Sequence, residues 1–260
     1  MYRPEGNVDL GLKGLRAVVT GGTKGIGRAA ADIFAQEGAS VGICARNANE
    51  VKAAVKDLKA KGVHAFGADI DVANKAALQK FIADSAAALG GIDILVANVS
   101  ALAAQDVEES WSKAFDVDMM HSVHAVNAAL PFLEQSKHPS IVIISSVSGR
   151  EVDFTGPAYG AMKAALIHYA QRLAYQHAAK MIRVNSVSPG NTYFEGGFWQ
   201  SAEKNLPDIF KQALALNPTG RMAKAEEIGR GIVFLASPAS SFTTGTNLVI
   251  DGALTRGVQL

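Results

Sequence analysis

The chain of 260 residues contains a single cysteine, Cys44. A lone thiol excludes an internal disulfide framework and a cysteine-ligated zinc site, no other metal site is expected, and the usage fits a reducing compartment, so a cytoplasmic location is expected. Net charge is also close to absent, at +1 from 25 basic and 24 acidic side chains. Such a balance supplies no basic field for nucleic acid and no acidic field for cations, which leaves a small molecule as the expected partner. Nowhere do 18 apolar residues run together, and the opening MYRPEGNVDLGLKG has no long apolar core. Neither a membrane span nor a signal peptide is predicted.

What the chain does have is a hydrophobic fraction of 48%, enough for a sizeable core. Short β-branched runs alternate with longer Ala-rich segments of helical period. LRAVVT precedes a helix over residues 25–36, SVGIC a helix over 51–60, and VHAFGA a helix over 75–89. IDILVAN then precedes one long helix ending near Phe132, and SIVIISS the helix that contains residues 159–178. MIRVNSVS, an irregular stretch over 191–218, a helix over 225–235 and a last strand TNLVIDG complete the chain. This rhythm predicts an α/β fold, a doubly wound parallel sheet of about seven strands with helices on both faces. No linker or repeat divides it, so residues 1–260 are expected to form a single domain of Rossmann type. A long loop in a compact domain is usually functional, which makes 191–218 the expected substrate loop.

Ligands of an open parallel sheet bind beyond the carboxyl ends of its strands. After the first strand stand Gly21, Thr23, Lys24, Gly25, Ile26 and Gly27, a glycine-dense turn opening directly into a helix. Backbone of that kind approaches a pyrophosphate closely and offers it helix N-terminal amides. After the second strand comes Cys44-Ala45-Arg46-Asn47, with no carboxylate to hold a ribose 2′-hydroxyl. Arg46 offers a fork for a 2′-phosphate instead, and Lys24 is expected to add a second positive charge facing the same region, so NADP(H) is the expected cofactor. Asp71 and Val72 follow the third strand. Asp71 either accepts from the adenine amine or opens the next helix.

Ser145-Ser146 follows the fifth strand, and thirteen positions beyond Ser146 begins Tyr159-Gly160-Ala161-Met162-Lys163. Tyrosine and lysine four apart share a helix face. Carbonyl reduction needs an acid to protonate the developing alkoxide, and a phenol is too weak an acid unless its anion is stabilised, which a neighbouring ammonium does.

Together TGGTKGIG, YGAMK, VSPGNT and VIDG resemble the short-chain dehydrogenase/reductase family over nearly the whole chain. The resemblance implies Tyr159 as general acid/base, Lys163 as the stabiliser of its phenolate and a contact to the nicotinamide ribose, and Ser146 as the group that orients the substrate oxygen. It also implies Pro189, Gly190 and Thr192 against the nicotinamide carboxamide, and a homotetramer built through the two long helices and the last strand. The sequence departs from the family pattern twice. The usual Asn-Asn-Ala-Gly after the fourth strand reads Ala97-Asn98-Val99-Ser100, whose small residues still let backbone pass the cofactor ribose. Asp118, in FDVDMM, stands where the family has the asparagine of a proton relay. Its backbone carbonyl serves equally well there, or its carboxylate binds Lys163 and alters the pH profile.

Tyr193, Phe194, Phe198 and Trp199 surround Gly196-Gly197, either as an apolar wall on a glycine hinge or as rings that pack the loop onto the sheet. Arg150, Glu151, Asp153 and Phe154 are expected to form the opposite wall. A lipophilic ketone or secondary alcohol is the leading substrate class. A 3-oxoacyl thioester on an acyl carrier protein is the next, with Lys137 and Lys180 as basic contacts. A non-catalytic NADPH-binding sensor, or a dehydratase or isomerase on the same fold, are the rival readings.

Overall fold

A computed structural model describes residues 9–103 and 105–258. Its main strands are β1 Arg16–Thr20, β2 Ser40–Ala45, β3 Ala65–Asp69, β4 Ile94–Ala97, β5 Ser140–Ile144, β6 Arg183–Pro189 and β9 Asn247–Ile250. These seven form one all-parallel sheet in the order β3-β2-β1-β4-β5-β6-β9. A two-residue ladder, β7 Thr192–Tyr193 on β8 Ala223–Lys224, lies apart from it. Alternate residues of each central strand enter opposite cores: Ala17 and Val19 pack on one face, Val18 on the other. Both faces are therefore buried, which is why these strands read as unbroken apolar runs.

One face carries α1 Gly25–Gln36, α2 Ala48–Lys59 and α9 Ala225–Ala236, and the other carries α3 Lys75–Leu89, α5 His121–Leu133 and α6 Pro157–His177. The chain winds outward to β3 and then returns to pair β4 with β1, so a crevice opens at the carboxyl ends of β1 and β4. No helix among the described residues is long and apolar enough to cross a membrane.

Three expectations about elements need correction. The helix expected to begin at residue 51 begins at Ala48, because the Asn47 side chain accepts from the amides of Asn49 and Glu50 and caps it there. The single long helix before Phe132 is instead α4 Glu108–Ala114, a π-helical turn over Phe115–Met120, and α5. The stretch 191–218 is not irregular: it holds β7, α7 Phe198–Asn205 and α8 Pro207–Ala215. Pro207 starts α8 at a position where its missing N–H costs nothing.

Candidate active site

The glycine turn after β1 closes on itself so tightly that a Cβ at Gly27 would collide with the Gly21 carbonyl and the Asn98 side chain. Gly21 and Gly25 adopt φ of +69° and +58°, which other residues rarely do. Asn98 holds this turn from β4: its Nδ2 donates to the Thr20 carbonyl at 3.0 Å, and its backbone N–H to Thr20 Oγ1 at 3.0 Å. Lys24 precedes α1 in an extended conformation and makes no side-chain cap, so the first amides of the helix keep their donors for a ligand. A backbone cradle that one Cβ would fill, set at an uncapped helix N-terminus, fits the pyrophosphate of a dinucleotide.

Around the cradle the expected residues divide. Arg46 is exposed just past β2 and makes no ion pair among the described residues. Lys24, expected as a second cation, is instead bound to Glu50, Nζ to Oε1 at 3.0 Å, and Thr23 Oγ1 donates to the same carboxylate at 3.2 Å. Glu50 lies in the first turn of α2, ahead of the helix start expected from the sequence, so nothing in the sequence reading marks it. Asp71 is exposed and accepts from the Ala73 amide at 3.0 Å in a local turn; it does not open the next helix, which Asn74 caps, and Val72 beside it is buried. Gly190 donates its N–H to the Ile250 carbonyl at 3.0 Å and approaches Asp251 so closely that a Cβ there would lie 2.8 Å from the Asp251 Cα. Thr192 Oγ1 donates to the Gly190 carbonyl at 3.0 Å, and Pro189 ends β6 beside Ile250. Phe194, expected either in an apolar wall or packed onto the sheet, has its ring over Gly25 and against Gly197.

The catalytic candidates meet where α6 docks on the end of β5. Ser145 Oγ donates to the Lys163 carbonyl at 2.7 Å, and Lys163 Nζ donates to the Ile144 carbonyl at 3.1 Å. These two bonds fix the helix against the strand and hold the ammonium 5.6 Å from the centre of the Tyr159 ring. The same ammonium lies 3.0 Å from Asp118 Oδ1, and the side chains are only 2% and 0% exposed. Of the two alternatives for Asp118, the carboxylate is thus the one that engages Lys163. Its Oδ2 accepts from the Ala101 amide at 3.0 Å, and its carbonyl accepts from Ser122 Oγ at 3.0 Å. The π-helical turn displaces Asp118 from a regular helical ladder, a distortion frequent at functional sites.

Ser146 is buried, and its Oγ both accepts from the Ser148 amide and donates to Ser148 Oγ, each at 3.2 Å. Ser148 in turn donates to Asp153 Oδ2 at 2.6 Å, so a chain of hydroxyls runs from the serine to an exposed carboxylate. Neither Ser148 nor His121 is among the residues the sequence reading singles out. His121 sits wholly inside, its Nε2 2.9 Å from Thr20 Oγ1, and burial, reinforced by the nearby Lys163 charge, pushes its pKa down to about 4. It is neutral at physiological pH. The aromatic residues pack against one another and into a small core of their own segment. Trp199 is buried in a small core with Ala202, Ala213 and Met222, and Phe154 meets it edge-on at 5.9 Å.

A family model described as enoyl-(acyl carrier protein) reductase matches residues 21–255. Isoepoxydon dehydrogenase from Penicillium expansum is 39% identical over 253 residues, 96% of this chain and 98% of that protein. Among solved structures, L-sorbose reductase from Gluconobacter frateurii, complexed with NADPH and L-sorbose, aligns with a TM-score of 0.88 at 27% identity, covering 96% of this chain and 100% of that one. A 7α-hydroxysteroid dehydrogenase complexed with NADH and 7-oxo glycochenodeoxycholic acid also aligns at 0.88 and 27%, covering 95% and 97%. With a cradle for a dinucleotide and a tyrosine beside a buried ammonium, the chain belongs to the short-chain dehydrogenase/reductase family of nicotinamide-dependent oxidoreductases that act on CH–OH groups.

Proposed function

We propose that residues 1–260 act as one cytoplasmic catalytic unit that interconverts a lipophilic ketone and its secondary alcohol with NADP(H). The observation that carries this reading is the Lys163 ammonium held 5.6 Å from the Tyr159 ring at the end of β5, next to Ser146. Bound nicotinamide supplies or accepts the hydride. In reduction, Tyr159 gives its hydroxyl proton to the oxygen of the carbonyl, Lys163 stabilises the phenolate left behind, and Ser146 holds that oxygen in place. In oxidation the same phenolate takes the alcohol proton.

Gly21, Thr23, Gly25, Ile26, Gly27 and Asn98 form the cradle proposed for the dinucleotide, and Asp71, Val72, Pro189, Gly190 and Thr192 its two ends. The preference for NADPH rests on Arg46, since Lys24 is already paired with Glu50. Phe154, Phe198 and Trp199, which meet ring to ring, support a lipophilic substrate and a substrate-binding role for the segment 191–218. A carrier-protein thioester has less support, because Lys180, one of its two proposed basic contacts, is bound to Glu134 at 2.6 Å. Exposed Trp111, Phe115 and Tyr175 on the helical faces support assembly as a homotetramer.

The test follows NADPH and NADH absorbance against a panel of ketones, secondary alcohols and 3-oxoacyl thioesters. NADPH is expected to support faster turnover on a ketone, and Arg46→Ala to narrow the gap. Tyr159→Phe is expected to lower turnover by roughly 10² to 10⁴ while NADPH still binds. Full reductase activity in a folded Tyr159→Phe protein would remove tyrosine from the mechanism.

A further inference from the structure

The Asp118–Lys163 pair has a consequence for the cofactor that goes beyond holding a side chain in place. The ammonium has three protons. It donates to the Ile144 carbonyl at 3.1 Å and lies in ion-pair contact with Asp118 Oδ1 at 3.0 Å, with the Tyr159 ring on another side at 5.6 Å. Both side chains are buried, so the attraction between them is little screened by solvent. Besides Tyr159, the titratable neighbour is His121, which is neutral. As a unit the dyad therefore carries no net charge.

Chemistry fixes where the nicotinamide ring has to be. Hydride passes only between atoms in contact, so the ring must lie against the carbon whose oxygen Tyr159 protonates, and Tyr159 stands beside the Lys163 ammonium. The two oxidation states of that ring differ by one positive charge: the dihydropyridine is neutral and the pyridinium is cationic. An unpaired ammonium next to it repels the oxidised form alone.

We propose that Asp118, by cancelling the Lys163 charge, sets the relative affinity of the site for the two oxidation states and lets the cationic oxidised nicotinamide bind without repulsion. Asp118 is on this account a positioning residue that acts through Lys163. The proposal rests on the function proposed above.

The test is the ratio of dissociation constants, NADP+ over NADPH, measured by titration calorimetry without substrate. Three variants probe the dyad charge: Asp118→Asn makes it +1, Lys163→Met makes it −1 when titrated at a pH high enough to keep the lone carboxylate ionised, and the double variant restores zero. Contacts to the ribose are common to both cofactor forms, so their loss cancels in the ratio. The ratio should rise about tenfold in Asp118→Asn, the modest end of what two unit charges at close range produce inside a protein. It should fall below the parent value in Lys163→Met and return to within about twofold of the parent in the double variant. If Asp118→Asn does not fold, Lys163→Met and the double variant still test the idea with the opposite sign. A ratio equal in all folded variants overturns the proposal, as does one that stays displaced in the double variant. Failure of the parent protein to bind either form overturns the proposed function itself, and this inference with it.

Discussion

Three buried polar side chains lie around Thr20 and Ile144, and each is accommodated differently. Lys163 and Asp118 neutralise one another, an arrangement that recovers only part of the cost of removing two charges from water. His121 instead gives up its charge, with burial and the Lys163 cation holding its pKa at about 4. Above pH 6.5 the ring is neutral whether the chain is folded or not. Between pH 6.5 and about 4 the unfolded chain takes up a proton that the folded one refuses, so stability falls as the pH falls through this window, by about 3 kcal/mol if this residue is taken alone. Urea unfolding at pH 7 and pH 4.5 should reveal the loss, and His121→Gln, which keeps a polar atom within reach of Thr20, should make the pH dependence shallower. At this scale Tyr159, Lys163 and Ser146 are legible because their spacing on a helix and at a strand end is itself the signal. His121 and Ser148 carry no such signal, since a histidine within a helical pattern is ordinarily core or surface and only the fold brings it to Thr20.

Elements are legible in proportion to their length and the regularity of their burial. α1 and α3 repeat an apolar residue every three or four positions over 12 and 15 residues, and their limits match the sequence reading. α7 spans 8 residues and buries only Trp199 and Ala202, too few to establish a period. The turn that joins β7 to α7 matters most for the cradle. Gly196 turns the chain at φ +71°, and a Cβ at Gly197 would come within 2.8 Å of the Phe194 ring, the same ring that lies over Gly25. Gly197→Ala should therefore push the ring into the cradle and weaken NADPH binding about fivefold, with Phe194→Ala restoring it in the double variant if the ring carries the effect. Fluorescence titration of NADPH against the four proteins checks this. Equal weakening in the single and double variants would place the effect in the backbone of α7 instead.

Across the whole molecule the order of the strands is less visible than their existence, because β6 and β9 pair across more than fifty residues of intervening chain. Arg183, at the start of β6, helps fix that pairing. Its guanidinium donates to the carbonyls of Leu235, Ala236 and Ser237 at the end of α9 and to Thr243 on the approach to β9. Burial lowers its pKa to about 10, so it keeps its charge at neutral pH, where a cation suits the carboxyl end of a helix. Arg183→Met preserves the bulk of the side chain but strips donors from buried carbonyls, and a loss of about 2–4 kcal/mol is expected in urea unfolding. A loss below about 0.5 kcal/mol would mean that water takes over those carbonyls.

The bond from Gly190 to Ile250 gives this architecture a direction in time. The turn after β6 is shaped by residues that leave the ribosome some sixty positions later. The glycine cradle, the tyrosine and the lysine all precede the last strand along the chain, yet the wall against which Gly190 rests does not exist until Ile250 and Asp251 arrive. Synthesis thus delivers the parts of the proposed site in sequence and completes it last at the edge of the sheet, so a chain interrupted before β9 would carry the proposed catalytic side chains without the strand that backs Gly190.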